Sequence, residues 1–402
     1  MGQGLPSLAA ALLLLVGFGA SAASAAPPPN DDFVNAISVT SLPFSDAQDT
    51  TDATREPDDP NCSGGQEHTV WYAFTPATDL RVTANTFGSE YDTTLGVYTG
   101  GPGSLTEIAC NDQAARSNQS RVVFEATAGT TYFVMIASWY VEPGGNLVFA
   151  MDEAPPPVND NFEDAIVATL PFSDTRSTLG ATSAAEDPTD CYDDAAPTVW
   201  YAFTATKDLR IVAHAFDSDY DTTIAVYTGA PGSFTQVACN SIFQVIFDAV
   251  TGETYYFMVK PAFGELGSLT LSIREAPPAL DFKVTINRFG SFDPKTGEAV
   301  IRGTAICNQM VWVELWSSLS QTVGRLLTIN GNSVQGFECD GTMPWKAALA
   351  PYSGRFAGGP ATADIQAVAY SEFEQFWTGA NAKITLRGGK RQPGGKPGKP
   401  KK

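Results

Sequence analysis

The chain has 402 residues, room for roughly two to four ordinary domains. Its 44 acidic side chains outnumber 24 basic ones, for a formal charge of -20, which excludes nucleic acid as the main partner because phosphate neutralisation needs clustered Lys and Arg. With 43% hydrophobic and 17% charged residues it is not a disordered polyelectrolyte, and its 2 His exclude a His-rich metal centre and leave few general acids or bases.

Residues 8–19 form an uninterrupted apolar and Gly run, and Ala23-Ser24-Ala25 then offers small residues suited to signal peptidase. This is the pattern of a secretory signal over residues 1–25, although no Lys or Arg precedes the run. The apolar core is shorter than the ~20 residues that span a bilayer, and no later segment is long and apolar enough to do so. Secretion, with a place outside the cell or on its envelope, is the expectation.

Two segments then repeat. Asn30-Asp31-Asp32-Phe33 answers to Asn159-Asp160-Asn161-Phe162, and Leu42–Asp46 to Leu170–Asp174. From Cys62 to Cys110 and from Cys191 to Cys239 the register is gap-free, with 28 of 49 positions identical. The reading is two copies of one domain, residues 30–152 and 159–275, followed by Pro-rich, extended linkers. Thr69–Thr75, Leu95–Thr99, Arg121–Phe124, Thr131–Ile136 and Leu147–Phe149 are rich in β-branched and aromatic residues, and Arg81–Phe87 alternates polar with apolar. Gly- and Pro-rich turns punctuate them, so each copy is expected to be a β-sandwich. Asp31–Ile37 is the one short helical candidate, with an Asx residue as its cap. A third, unrelated segment covers residues 281–387, and residues 388–402 form a Gly/Pro/Lys tail with six basic and no acidic side chains. Such a tail is expected to be disordered, either touching an anionic envelope or simply solvated.

Six Cys in an exported chain point to disulfides. The repeat makes one bridge per domain the simplest pairing: Cys62 with Cys110, Cys191 with Cys239, and Cys307 with Cys339.

The order Asn-Asp-Asp-Phe, Leu-Pro-Phe-Ser-Asp, Thr-Val-Trp-Tyr-Ala-Phe-Thr, Tyr-Asp-Thr-Thr-Leu-Gly-Val-Tyr-Thr-Gly, Ala-Cys-Asn-Asp, Ala-Gly-Thr-Thr-Tyr-Phe resembles the bacterial pre-peptidase C-terminal domain family, across both copies. The resemblance implies a jelly-roll-like sandwich that accompanies secreted hydrolases without catalysing, some relatives binding Ca²⁺ or extracellular polymers. Gly297–Cys307, Cys339-Asp340-Gly341 and Trp345 resemble an immunoglobulin-like domain of unknown function found in secreted actinobacterial proteins. The fold class expected is all-β: three tandem β-sandwiches, two jelly-roll-like and one immunoglobulin-like.

Two kinds of site are legible. Glu90 and Asp92 stand two apart, as do Asp219 and Asp221, and Asp112 could join the first pair. Oxygen clusters of this kind suit Ca²⁺; the alternative is that these residues cap turns and solubilise the surface. Asp31 and Asp32 could contribute if their segment folds back. Trp139 and Tyr140, in an apparent loop, could bind a ligand or pack at the rim, and Phe263 lies in the corresponding stretch of the second copy. Phe376 and Trp377 are expected in strand core. His68 aligns with Pro197 and His214 with Asn85, so neither belongs to a repeated site, and no hydrolase motif occurs. The functional expectation is a non-catalytic protein adhering to an extracellular or envelope polymer, with an accessory partner of a separately encoded hydrolase as the alternative.

Overall fold

The computed structural model describes residues 26–140, 142–192, 196–241, 243–324 and 327–388. The expected export signal, and all of the basic tail beyond its first residue, lie outside them. The described chain is all-β, with two single-turn 3-10 helices, and divides into two compact units, residues 1–276 and 277–402.

The first unit holds both copies. In the first copy the strands are β1 (Ile37–Val39), β2 (Phe44–Asp49), β3 (Gln66–Phe74), β4 (Leu80–Asn85), β5 (Thr93–Thr99), β6 (Thr106–Asn111), β7 (Arg121–Ala126), β8 (Tyr132–Trp139) and β9 (Asn146–Glu153). They form a five-stranded sheet, β1-β3-β8-β5-β6, facing a four-stranded sheet, β2-β9-β4-β7. The second copy repeats this with β10 (Ile166–Val167), β11 (Phe172–Ser177), β12 (Val199–Thr204), β13 (Leu209–His214), β14 (Thr222–Thr228), β15 (Thr235–Asn240), β16 (Gln244–Ala249), β17 (Thr254–Pro261) and β18 (Ser268–Glu275), in the orders β10-β12-β17-β14-β15 and β11-β18-β13-β16.

The run Thr-Val-Trp-Tyr-Ala-Phe does not alternate because its strand is buried on both faces. Val70, Tyr72 and Phe74 enter the core between the sheets, while Trp71 joins Tyr98 and Met135 in a second cluster on the outer side. Phe33 and Ala36, from the segment before β1, pack onto that cluster, with Phe33 edge-on to Trp71 at 5.0 Å. Burying a large apolar side chain contributes about 1.5–3 kcal/mol, so the outer cover matters to each copy.

The Asn-Asp motif holds this cover in place. The buried Asn30 side chain donates to the Trp71 carbonyl at 3.0 Å, and the Trp71 N–H donates back to the Asn30 carbonyl at 2.9 Å. Asn159 and Trp200 repeat the exchange at 2.9 Å each way. The next residue pins a loop: the Asp31 carboxylate accepts from the Thr54 N–H and hydroxyl, and Asp160 from those of Thr182. The expected helical turn shrinks to Phe33–Asn35, and the capping expectation is corrected, since Asp32 makes no side-chain cap. Both Asp31 oxygens thus hold the loop at Thr54.

The second unit comprises β19 (Phe282–Ile286), β20 (Phe289–Phe292), β21 (Ala299–Val323), β22 (Leu327–Pro351), β23 (Gly359–Tyr370) and β24 (Gln375–Gly388). Its six strands belong to one hydrogen-bonded sheet. The long β21 pairs along one edge with β22, and along the other first with β20 and β19 and then with β23. Because β23 pairs with β24 and β24 with β20, the sheet curls back onto β21 and wraps one core that includes Val313, Leu315, Ile365 and Trp345. A single folded sheet thus supplies the layers that an immunoglobulin-like sandwich divides between two.

All six cysteines are bridged as the repeat suggested: Cys62–Cys110, Cys191–Cys239 and Cys307–Cys339. The third bridge joins β21 to its neighbour β22 where the register shifts between Cys307 and Val311, so it pins a bulge.

Asn30→Ala is expected to cost about 1–3 kcal/mol, since it strips a buried carbonyl of its donor. Asp32→Ala should be near neutral. Thermal melts of the two variants check the contrast.

Candidate binding surfaces

Of the carboxylates singled out in the sequence, Asp92 and Asp112 lie near each other in the first copy, while Asp219 and Asp221 turn to arginines. Among the described residues no group of three or more His, Cys, Asp and Glu side chains is placed to hold a metal ion. Glu90 accepts from the Asn146 amide at 2.8 Å, and Asp112 from the Ser63 hydroxyl at 2.9 Å. Asp219 and Asp221, expected to form a cation site, are spent on arginines of the first copy. The Arg121 guanidinium lies 3.5 Å from Asp219 and 3.6 Å from Glu265, and also donates to the Leu266 carbonyl. Arg116 lies 3.0 Å from Asp221 and over the Phe243 ring. Arginine supplies the positive charge that Ca²⁺ was expected to bring.

The copies differ at the loop that carries Arg116. Between β6 and β7 the first copy has nine residues, where the second has three between β15 and β16. The longer loop carries Ala115 and Arg116 in the left-handed region, at φ 52° and 56°. That turn aims the Ala115 N–H at Glu265, 2.7 Å away. Arg81 adds a 2.9 Å bond to the Ala181 carbonyl. Gly180 is required nearby, because the linker carbonyls of Ala154 and Pro155 occupy the space a Cβ would need. Two clefts of about 460 and 430 Å³ flank this junction, and Phe263, 84% exposed, lines both.

At the corresponding end of the first copy, Trp139 and Tyr140 are exposed and tilted against each other at 5.7 Å. Tyr140 has φ 56° and packs beside Gly65. Asp92, half-buried and bonded through its carbonyl to the Trp139 N–H at 2.9 Å, has one carboxylate oxygen without a hydrogen-bond partner. Burial, then the neighbouring Asp112 and Glu142 carboxylates, raise its pKa above the ordinary value.

The second unit carries a surface the sequence reading placed in the core. Trp377 is 60% exposed and Phe376 40%, which corrects their assignment to strand core. In β21 the residues Trp312, Glu314, Trp316 and Ser318 alternate with the buried Val313, Leu315 and Ser317 and so share the outer face. Trp312 stands opposite Tyr370, Glu314 opposite Val368, and Trp316 opposite Gln366 on β23; Trp377 stands opposite Val368 on β24. The Trp316 and Trp377 rings are nearly parallel, at 11° and 5.7 Å between centroids. Val368, on this outer face, is fully buried. The Trp312 indole lies over Gly336, whose missing Cβ makes room for it. Burial and the adjacent Glu314 carboxylate raise the Tyr370 hydroxyl above its ordinary pKa. Gln366, Glu338 and Gln375 are exposed among the rings.

No protein-family model and no curated protein matches the chain. Among solved structures it is similar to a Parabacteroides merdae β-glucuronidase at 12% identity and a TM-score of 0.18, over 48% of this chain and 28% of that one. It is similar to Bacteroides uniformis β-glucuronidase 3 at 11% identity and a TM-score of 0.18, over 47% of this chain and 27% of that one. It is also similar to the CUB1-EGF-CUB2 domains of rat MASP-1 at 11% identity and a TM-score of 0.17, over 60% of this chain and 99% of that one. The chain thus spans under a third of the length of these glucuronidases, and likeness at this level assigns no activity.

Arg121, with 7% of its side chain exposed, is more deeply set than Arg116 at 53%. Arg121→Ala is therefore expected to cost the first unit about 1–3 kcal/mol, and Arg116→Ala under about 1 kcal/mol, by denaturant melts. Asp92 holds its proton more tightly folded than unfolded, so its ionisation removes stability as pH rises from the ordinary Asp pKa through the raised one. Asp92→Asn should accordingly melt higher than the parent at neutral pH. The two should coincide once the pH is below the ordinary Asp value.

Proposed function

We propose that this is an exported, non-catalytic protein that holds an extracellular polysaccharide on the outer sheet face of its second unit. The observation that carries the reading is the near-parallel Trp316–Trp377 pair beside Trp312 and Tyr370 on one exposed face. A soluble protein leaves such a face open at a cost, because apolar area in water is unfavourable and large exposed patches mark interaction surfaces. The electron-rich ring faces attract the C–H bonds of a sugar ring, whose hydroxyls are then free to bond laterally. Glu314, Gln366, Glu338 and Gln375 supply donors and acceptors at that level. Rings on a continuous sheet form an open surface rather than a pocket, which suits a long chain more than a small molecule.

Export is supported by three disulfides and no free cysteine among the described residues. No helix there is long and apolar enough to cross a membrane. The non-catalytic reading rests on the surface being aromatic and polar without an activated nucleophile or a repeated His.

Retention on insoluble polysaccharides, cellulose, chitin and purified cell-wall sacculi, tests this. The parent chain is expected to be pulled down by at least one of them. Trp377→Ala or Trp316→Ala should weaken retention about tenfold, in line with the loss of one stacked ring. Trp139→Ala should leave it unchanged. Retention lost with Trp139→Ala and kept by the other two would move polymer binding to the first copy.

A further inference from the structure

The two copies show the same end of the same fold, paired with arginines in the second copy. Backbone bonds fix the correspondence. The Ala262 N–H donates to the Asp221 carbonyl at 2.8 Å, as the Trp139 N–H does to Asp92 at 2.9 Å. The Asp219 N–H donates to the Ser268 carbonyl at 3.1 Å, as the Glu90 N–H does to Asn146 at 3.1 Å. Asp219, Asp221, Phe263 and Glu265 therefore correspond to Glu90, Asp92, Tyr140 and Glu142. In the second copy these carboxylates close on Arg121 and Arg116, in an interface continuous with the outer face of β4 and β7. In the first copy the charge and the aromatic are retained at each position. Tyr140 is exposed, as its counterpart Phe263 is, and the difference lies at the carboxylates, where a buried oxygen of Asp92 has no hydrogen-bond partner.

We propose that the Glu90, Asp92, Tyr140 and Glu142 end of the first copy is a docking surface for a second protein that presents arginines from a β-sheet face and its adjoining loop, in the manner of Arg121 and Arg116. Arginine suits the position because its planar fork bonds carboxylates on two sides, as Arg121 does with Asp219 and Glu265. A second copy of this chain is a poor occupant. Its first copy's arginines are already engaged. Its second copy has Gln244 at the start of β16, where β7 starts with Arg121, and a three-residue loop in place of the arm. Two chains of formal charge -20 also repel. The partner is thus a different, basic protein, and the surface is independent of the polysaccharide face.

The test uses the full chain labelled with ¹⁵N and a synthetic peptide of residues 111–124, which carries Arg116 and Arg121. Trp139→Phe assigns the Trp139 indole N–H signal. Saturable movement of that signal on adding peptide is expected, weaker at high salt. Asp92→Asn with Glu142→Gln, or Arg116→Ala with Arg121→Ala in the peptide, should weaken binding about tenfold or more. A lysine-for-arginine peptide should bind less well. No movement at any peptide excess would overturn the proposal. So would binding that survives the Asp92/Glu142 double variant but fails when Asp219 and Asp221 are changed to Asn, because the peptide would then be displacing the internal arm.

Discussion

The first unit depends on one guanidinium. Arg121 begins β7 and reaches two carboxylates and a carbonyl of the second copy, with almost none of its side chain in water. A charge in that position is tolerable only when its donors are used, and the acidic end of the second copy uses them. The extra residues before it, with Ala115 and Arg116 in the left-handed region, add an arm that bonds Glu265 and Asp221. Two sandwiches of nearly the same sequence thereby meet through unlike surfaces, a sheet face on one and a loop end on the other.

The second unit solves a different problem. Its long hairpin must bury one face and keep the other soluble, and alternation along β21 does most of this. Where the outer face carries rings instead of charge, the rings cover Val368 and lie against one another and against Gly336. Packing thus holds the rings as an ordered array on the sheet.

Strand positions, the repeat and the three bridges could be read from sequence because each has a local signal: β-branched runs, a constant offset and Cys counts. The Asn-Asp motif was visible as a repeat, but its role was not. Asn30 contacts Trp71, 41 residues away, and only tertiary structure brings them together. The partners of Asp219 and Asp221 were hidden for the same reason, since the arginines facing them lie 98 and 105 residues away. The aromatic face had a usable signal. In Val311-Trp312-Val313-Glu314-Leu315-Trp316-Ser317-Ser318 both Trp residues fall in phase with Glu314 and Ser318, the polar phase of the strand. Adjacent Phe376 and Trp377 cannot both point inward in a strand, so one of them had to face out.

The six-residue difference between the copies also makes their joint directional. A loop end that fits a sheet face is a head-to-tail joint, and a joint of that kind, repeated identically, grows without limit into a fibre. Gln244 and the short loop before it deprive the second copy of the receiving half. Within this chain the joint is therefore made once, from the sheet face and arm of the first copy to the loop end of the second.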